Sequence, residues 1–367
     1  MRISKIKLPA LLLAFGLVAA GCSDDGGDTD EETTESPDAG GQTEGEGAAG
    51  GDTLAAVQEA GTLKCGVNGV LAGFSLNEGG EYTGFDVDYC KAVAAAVLGD
   101  PEAVEYVELT ADTRFTALQS GEVDVLIRNG TWTASRDGSL GLDWAHTTFY
   151  DGQGMMVMAD SEFQSLDDMQ NTVICVQSGT TTELNLATVF ESRGITYEPL
   201  LLEDQEALTQ QFEQGACDGY TTDKSGLASF KQTTSLGADA VRILDETMSK
   251  EPLGPAVRQG DSEWYDIVNW VVFATIQAEE FGLTSDNIAS YDGDDPEILR
   301  FIGKGSGDDA QFDAGLNLPS DYAVQVVEAV GNYAEIYERN IAPLGLENRG
   351  LNALWTDGGL HYAPPYR

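Results

Sequence analysis

Arg136 carries a planar guanidinium fork that suits a carboxylate, and Asp223 offers an acidic group that suits an ammonium. Neither residue is informative alone, because a lone Arg or Asp is usually half of a surface ion pair. Brought into one closed pocket they would satisfy both ends of a small zwitterion, whose burial without partners is costly. A third feature is the run Ser178-Gly179-Thr180-Thr181-Thr182-Glu183, which follows the strand-like segment Val173 to Val176. It reads as the start of a helix continuing through Phe190, with Thr as N-cap and Glu in the first turn. Free backbone N–H groups at such a start suit an anion, although a well-capped helix with no ligand would look the same.

The elements that must position these groups alternate. Leu63 to Val67 reads as a short strand, and Phe85 to Leu98 as a helix with Val87, Cys90, Val93, Ala94, Val97 and Leu98 on one face and Asp86, Asp88 and Lys91 off it. Val104 to Leu109 reads as a strand, Arg114 to Ser120 as a helix stopped by Gly121, and Val123 to Ile127 as a further strand. Strands alternating with helices predict an α/β fold with a mainly parallel sheet. The plan then repeats. Cys65, Asn68 and Gly69 are echoed by Cys175, Ser178 and Gly179, and Gly121, Asp124 and Asn129 by Gly215, Asp218 and Asp223. In open α/β sheets the crevice lies beyond the carboxyl ends of the strands, so Asn129 and Asp223 would line one cleft between two facing lobes.

Composition narrows the function classes. The chain has 367 residues and a formal net charge of −43, which excludes nucleic acid as a partner because polyphosphate would be repelled. Lys and Arg residues before Leu8, an apolar run to Ala20 and then Gly21-Cys22 read as an export signal with Cys22 placed for acylation. That run is shorter than the roughly 20 residues of a spanning helix. Residues 23–52 are almost entirely Gly, Thr, Ser, Asp, Glu and Ala, the composition of a disordered acidic tether. The remaining body is too long for one compact core of usual size, so two lobes are expected. With only His146 and His361 and no Cys-x-x-Cys spacing, neither a metal site nor a thiol-redox site is expected, and no cofactor is implied. Cys65, Cys90, Cys175 and Cys217 form an even set in an oxidising compartment, where disulfides are expected.

Several stretches carry a resemblance to a known family: Gly84-Phe-Asp-Val-Asp88, Phe115-Thr-Ala-Leu-Gln-Ser-Gly121, Thr131-Trp-Thr133, Ser139-Leu-Gly-Leu-Asp143, Tyr150-Asp-Gly-Gln-Gly154, Gly179 to Leu186, Lys250 to Gly260, Arg349 to Trp355 and Tyr362 to Pro365. From about Gly61 to Arg367 the chain resembles the general L-amino-acid-binding proteins of the polar amino acid ABC transporter group, periplasmic solute-binding protein family 3. The resemblance implies a type II periplasmic-binding fold, two α/β lobes joined by two hinge strands. It also implies capture of free L-amino acids, with broad specificity, by clamp closure and delivery to ABC transporter permease subunits.

Carried over residue by residue, the resemblance has Arg136 hold the ligand α-carboxylate, helped by the N–H groups of Asn129 and Thr181. The α-ammonium would meet Asp223, the Thr131 hydroxyl and the Arg128 carbonyl, and Asn68, Leu71 and Phe74 would line the side-chain part of the pocket. Leu71 replaces an aromatic common in narrower-specificity relatives, and Gly130 stands where Thr is usual. The hinge crossings would lie near Tyr150 to Gly154 and Lys250 to Pro255, where Gly and Pro punctuate the chain. The resulting division is 1–22 signal, 23–52 linker, 53–152 with 252–367 as the first lobe, and 153–251 as the second.

On the return to the first lobe, Trp264, Ile267, Val268, Val271, Val272, Thr275 and Ile276 form a helical apolar stripe, expected to be core, and Trp132 and Trp355 are expected to be packing residues. Four cysteines allow three pairings; Cys65 with Cys90 and Cys175 with Cys217 keep each bridge inside one lobe, whereas a bridge across lobes would lock the clamp. The chain is expected to be no enzyme, since no nucleophile elbow, Walker loop or metal cluster is present. An exported, lipid-anchored monomer at the periplasm or the outer face of the cytoplasmic membrane is the expectation. A sensor lobe reporting to a separate receptor is the alternative.

Overall fold

A computed structural model describes residues 52–305 and 315–367. The export signal, Cys22 and the acidic stretch before residue 52 lie outside the described residues.

Two five-stranded sheets share one plan. In the first, the order is Val104–Glu108, Leu63–Val67, Val125–Leu126, Ala256–Arg258, Leu142–Trp144; in the second it is Tyr197–Leu202, Thr172–Gln177, Gly219–Asp223, Gln153–Met158, Val241–Ile243. The first three strands of each sheet run parallel, and the fourth runs antiparallel to both its neighbours. Both fourth strands enter directly from a two-stranded ribbon, in which Phe149–Asp151 pairs with Glu251–Leu253. The chain therefore crosses between the sheets at that ribbon twice, as the two-lobe, two-hinge fold requires.

The repeat is real in its strand ends and offset in its cysteines. Asp124 and Asp218 make the same bond to the second strand of their sheets: the Lys64 N–H donates to Asp124 at 2.9 Å, and the Val173 N–H to Asp218 at 2.8 Å. Cys65 lies opposite Val125, but Cys175 lies opposite Tyr220, one position further from its preceding Gly. A shift of one residue turns a strand side chain to the other face of the sheet. Cys65 accordingly bonds to Cys90 on helix Phe85–Leu98, whereas Cys175 reaches Cys217 in the turn before Gly219–Asp223. Both bridges have the pairing expected from the sequence.

The largest core lies between the first sheet and helices Phe85–Leu98, Ser262–Glu280, Tyr322–Val330 and Tyr333–Asn340. Every residue of the stripe from Trp264 to Ile276 named above is buried there. The two tryptophans expected to pack, Trp132 and Trp355, do so while remaining exposed. Trp132 is 42% exposed because its indole N–H reaches out to the Asp137 carboxylate at 2.7 Å, and Trp355 is 49% exposed, edge-on to Tyr362. Asp86, expected on the polar side of its helix, is buried, and its carboxylate accepts the Asn129 N–H at 2.7 Å.

Candidate functional site

The cleft is assembled from strand ends. Strand Gly219–Asp223 delivers Asp223 to its carboxyl end, where it is also the N-cap position of helix Lys224–Thr233 without a side-chain cap bond. Asp223 is 7% exposed, and its Oδ1 is buried with no hydrogen-bond partner among the described residues. Burial first, then the carboxylates of Asp151 and Glu251, hold its carboxyl well above the ordinary range, opposed by Arg114 and Arg136. An ammonium brought to Oδ1 would supply both the missing donor and the missing charge.

Arg136 projects from the short turn Ser135–Ser139 and is also 7% exposed. Its Nη1 donates to the Thr131 carbonyl at 2.8 Å, and its guanidinium carbon lies 4.9 Å from the centre of the Phe115 ring. Burial lowers its pKa, while Glu251 and Asp223 oppose the shift. Among the described residues no ion pair joins Arg136 to a carboxylate. One edge of the fork is fixed by the protein and the charge is left for something else.

Contacts between the two sides are close. The hydroxyls of Thr131 and Thr181 are 3.4 Å apart, and the Asn68 amide donates across to Gln205 Oε1 at 3.2 Å and, on its own side, to Asn129 Oδ1 at 3.4 Å. Thr131 bridges to Leu253 of the hinge ribbon, and Thr181 opens helix Thr181–Arg193. As expected, Thr180 is the N-cap, accepting the Glu183 N–H, while the Glu183 side chain accepts the N–H of Gly179. A Cβ at Gly179 would stand 1.8 Å from Asp112 Oδ1 in the facing lobe, and its φ of +70° already favours glycine. A side chain there would have to push the exposed Asp112 carboxylate aside for the lobes to meet as they do.

Not every expected contact group is free. The Asn129 N–H is spent on Asp86, so its side chain, not its backbone, faces Asn68. Arg128 is buried with its Nε on the Leu109 carbonyl and Asp86 nearby; burial lowers its pKa to about 10 and raises that of Asp86 to about 6. Leu71 lines a cavity of about 270 Å³ together with Gln205 and Phe230. Phe74, by contrast, is withdrawn into the core, edge-on to Phe85 and Phe149. A side chain at Gly130 would meet Trp144 at 3.2 Å.

Three groups escaped the sequence reading. Glu251, on the second hinge strand, is buried and accepts the Thr181 hydroxyl at 2.9 Å, the Asn185 amide at 2.7 Å and the Ser249 hydroxyl. Asp151, its partner across the ribbon, accepts the N–H groups of Gly152 and Ser225, and burial pushes it up to about 6. Gln153 donates to the Thr182 carbonyl and the Thr221 hydroxyl. All three lie in stretches that the sequence marked as hinge, and their polar roles appear only once the ribbon is paired.

The chain is similar to known proteins over most of its length. Residues 63–287 match the bacterial extracellular solute-binding proteins, family 3. A general L-amino acid-binding periplasmic protein of Rhizobium johnstonii is 49% identical over 328 residues, covering 88% of this chain and 95% of its own length. A glutamate/glutamine/aspartate/asparagine-binding protein of Rhodobacter capsulatus is 50% identical over 327 residues, covering 88% and 95%. A solved ABC transporter periplasmic binding protein from Brucella ovis with glutathione bound superposes with a TM-score of 0.83 at 47% identity, covering 86% of this chain and 99% of that one. With two α/β lobes, two hinge strands and these relatives, the chain belongs to the bacterial extracellular solute-binding proteins, family 3, and has their type II fold.

Proposed function

We propose that this protein captures a free L-amino acid in the cleft by lobe closure and delivers it to the permease of an ABC transporter. The observation that carries the reading is the pairing of two buried charges with unfilled capacity: among the described residues Arg136 has no carboxylate partner and Asp223 Oδ1 no hydrogen-bond partner. Arg136 takes the α-carboxylate and Asp223 the α-ammonium, with the hydroxyls of Thr131 and Thr181, the Thr181 N–H and the Arg128 carbonyl completing the ring of contacts. Asn68, Asn129 and Leu71 face the side chain, and Phe74 supports them from the core. The names of the Rhizobium and Rhodobacter relatives support the ligand class.

The lobes of this reading are 53–152 with 252–367 and 153–251, turning about the Phe149–Asp151 and Glu251–Leu253 ribbon. Binding without turnover is the function proposed, since the site offers receptors for two fixed charges and no activated nucleophile. The chain acts as a monomer, exported and held to the membrane through a lipid on Cys22 with residues 23–52 as tether. Calorimetric titration with the twenty amino acids tests the reading: saturable binding of several of them is expected, and no heat from any of them would sink it. Mass measurement of the mature N-terminus tests the lipid separately.

A further inference from the structure

The two strands of the hinge ribbon pass from one lobe to the other at the same level. In the cross-strand pair Asp151 and Glu251, Asp151 accepts the Ser225 N–H at 3.1 Å, and Glu251 accepts the Thr181 hydroxyl and the Asn185 amide. Those three donors belong to the second lobe. In the next pair, Tyr150 and Pro252, the bonds run to the first lobe and its C-terminal return. The Pro252 carbonyl accepts the Trp132 N–H at 2.8 Å, and Tyr150 is held by Asn352. One side chain satisfies both backbone groups of Tyr150: Asn352 Oδ1 accepts its N–H at 2.6 Å, and Nδ2 donates to its carbonyl at 3.0 Å. Pro252, directly opposite, has no N–H to offer. The Asn352 amide therefore stands where a third strand would, closing the outer edge of the first hinge strand.

Asn352 is itself fixed. It is 5% exposed on the short turn Gly350–Asn352, and its carbonyl accepts Arg349 Nε at 3.1 Å and Nη2 at 2.9 Å. The same guanidinium meets both carboxylate oxygens of Glu279, on helix Ser262–Glu280, at 2.6 and 3.0 Å. It also lies 5.1 Å from the centre of the Tyr333 ring, and the Tyr333 hydroxyl donates to the Thr148 carbonyl at 2.8 Å, just before the hinge strand. The ring of the fully buried His361 packs 5.3 Å from that of Tyr150. A continuous line of contacts thus joins a core helix of the first lobe to one residue of the hinge. We propose that Asn352 is a positioning residue for ligand capture, an inference that rests on the reading of lobe closure given above. It pins Tyr150 to the first lobe, so that turning is confined to the step from Tyr150 to Asp151 and the facing step from Glu251 to Pro252. Without this brace the open form gains orientations that closure must surrender, and apparent affinity falls with the population able to close. Asn352 lies beyond residue 287, where the match to the family ends. The C-terminal segment therefore tunes affinity through the hinge.

The test combines amide hydrogen exchange with calorimetric titration of the full chain, Asn352→Ala and Asn352→Asp, using whichever of the twenty amino acids the wild type binds most tightly. Thermal melts and small-angle scattering accompany each. In the wild type the Tyr150 N–H is expected to exchange slowly both with and without the amino acid. Asn352→Ala should release that N–H to exchange, enlarge the radius of gyration of the ligand-free chain and raise Kd about three- to tenfold, with one ligand still bound per chain. Asn352→Asp keeps the acceptor for the Tyr150 N–H and loses the donor, so its Kd should fall between the two. A lower melting temperature with Kd and ligand-free dimensions unchanged would make Asn352 a packing residue only and overturn the proposal. So would rapid exchange of the wild-type Tyr150 N–H, a result that needs no variant to fold. A wild type that binds none of the twenty amino acids defeats the reading of capture and this proposal with it, and the absence of heat from the unaltered chain sets that outcome apart from the others.

Discussion

The hydroxyl oxygens of Thr131 and Thr181 stand 3.4 Å apart although the two residues belong to opposite lobes, and the Thr181 hydroxyl donates to Glu251 on the hinge strand. The contact joins the places where each lobe would touch a ligand to the ribbon about which the lobes turn. Closure and ligand contact are therefore one event, and a ligand that contacts both sides shifts the population toward the closed form by its differential affinity for it.

Glu251 is a positioning residue in this arrangement. It fixes the Thr181 hydroxyl and, through Asn185, the first turns of helix Thr181–Arg193. Glu251→Ala should weaken amino-acid binding by roughly tenfold, the scale of one charge-assisted hydrogen bond. Glu251→Gln, whose side-chain oxygen can still accept from Thr181, should keep most of the affinity. Calorimetry on the two variants checks this, and equal losses would show that the role is charge rather than hydrogen-bond geometry.

Gly179 reports on closure itself. A Cβ there meets Asp112 Oδ1 of the facing lobe at 1.8 Å. Gly179→Ala must strain its backbone and push the exposed Asp112 carboxylate aside to close, so small-angle scattering should show reduced compaction when ligand is added and affinity should fall. Asp112→Gly in the same chain should restore part of both. Undiminished compaction in Gly179→Ala would show that the lobes meet elsewhere.

The sequence carried much of this arrangement because its local signals were strong. Helix Phe85–Leu98 followed from apolar spacing and has the expected bounds, and the Thr180 cap followed from residue type. Arg136 and Asp223 were legible as complementary charges. What stayed hidden depends on pairing across long distances. Glu251 looked like a hinge residue until Glu251–Leu253 was set beside Phe149–Asp151, and Asp86 looked like a solvated helix residue until the Asn129 N–H turned to it. The cysteine echo misled by one position, since the repeat is kept in the hydrogen bonds of Asp124 and Asp218 and not in the register of Cys65 and Cys175.

Binding should also depend on pH, with a definite sign. In the free protein burial and neighbouring carboxylates raise the Asp223 pKa, so its protonated form persists above the ordinary carboxylate range. A ligand ammonium needs the ionised form. Binding therefore releases a proton while the pH lies below that raised pKa, and affinity climbs as the pH rises through it and then levels off. Titrations at about pH 5 and about pH 8, in buffers of different ionisation enthalpy, should show tighter binding at the higher pH and proton release at the lower. Asp223→Asn should bind weakly with no such dependence. Equal affinity at both pH values in the wild type would mean that Asp223 is not the ammonium receptor.

The most direct test of the central claim is a crystal structure of the chain grown with an L-amino acid that calorimetry shows to bind. The account predicts the α-carboxylate on the guanidinium of Arg136 and the α-ammonium on Oδ1 of Asp223, with both lobes in contact with one ligand. A ligand seated on one lobe alone, or one whose charged ends meet neither residue, would contradict it.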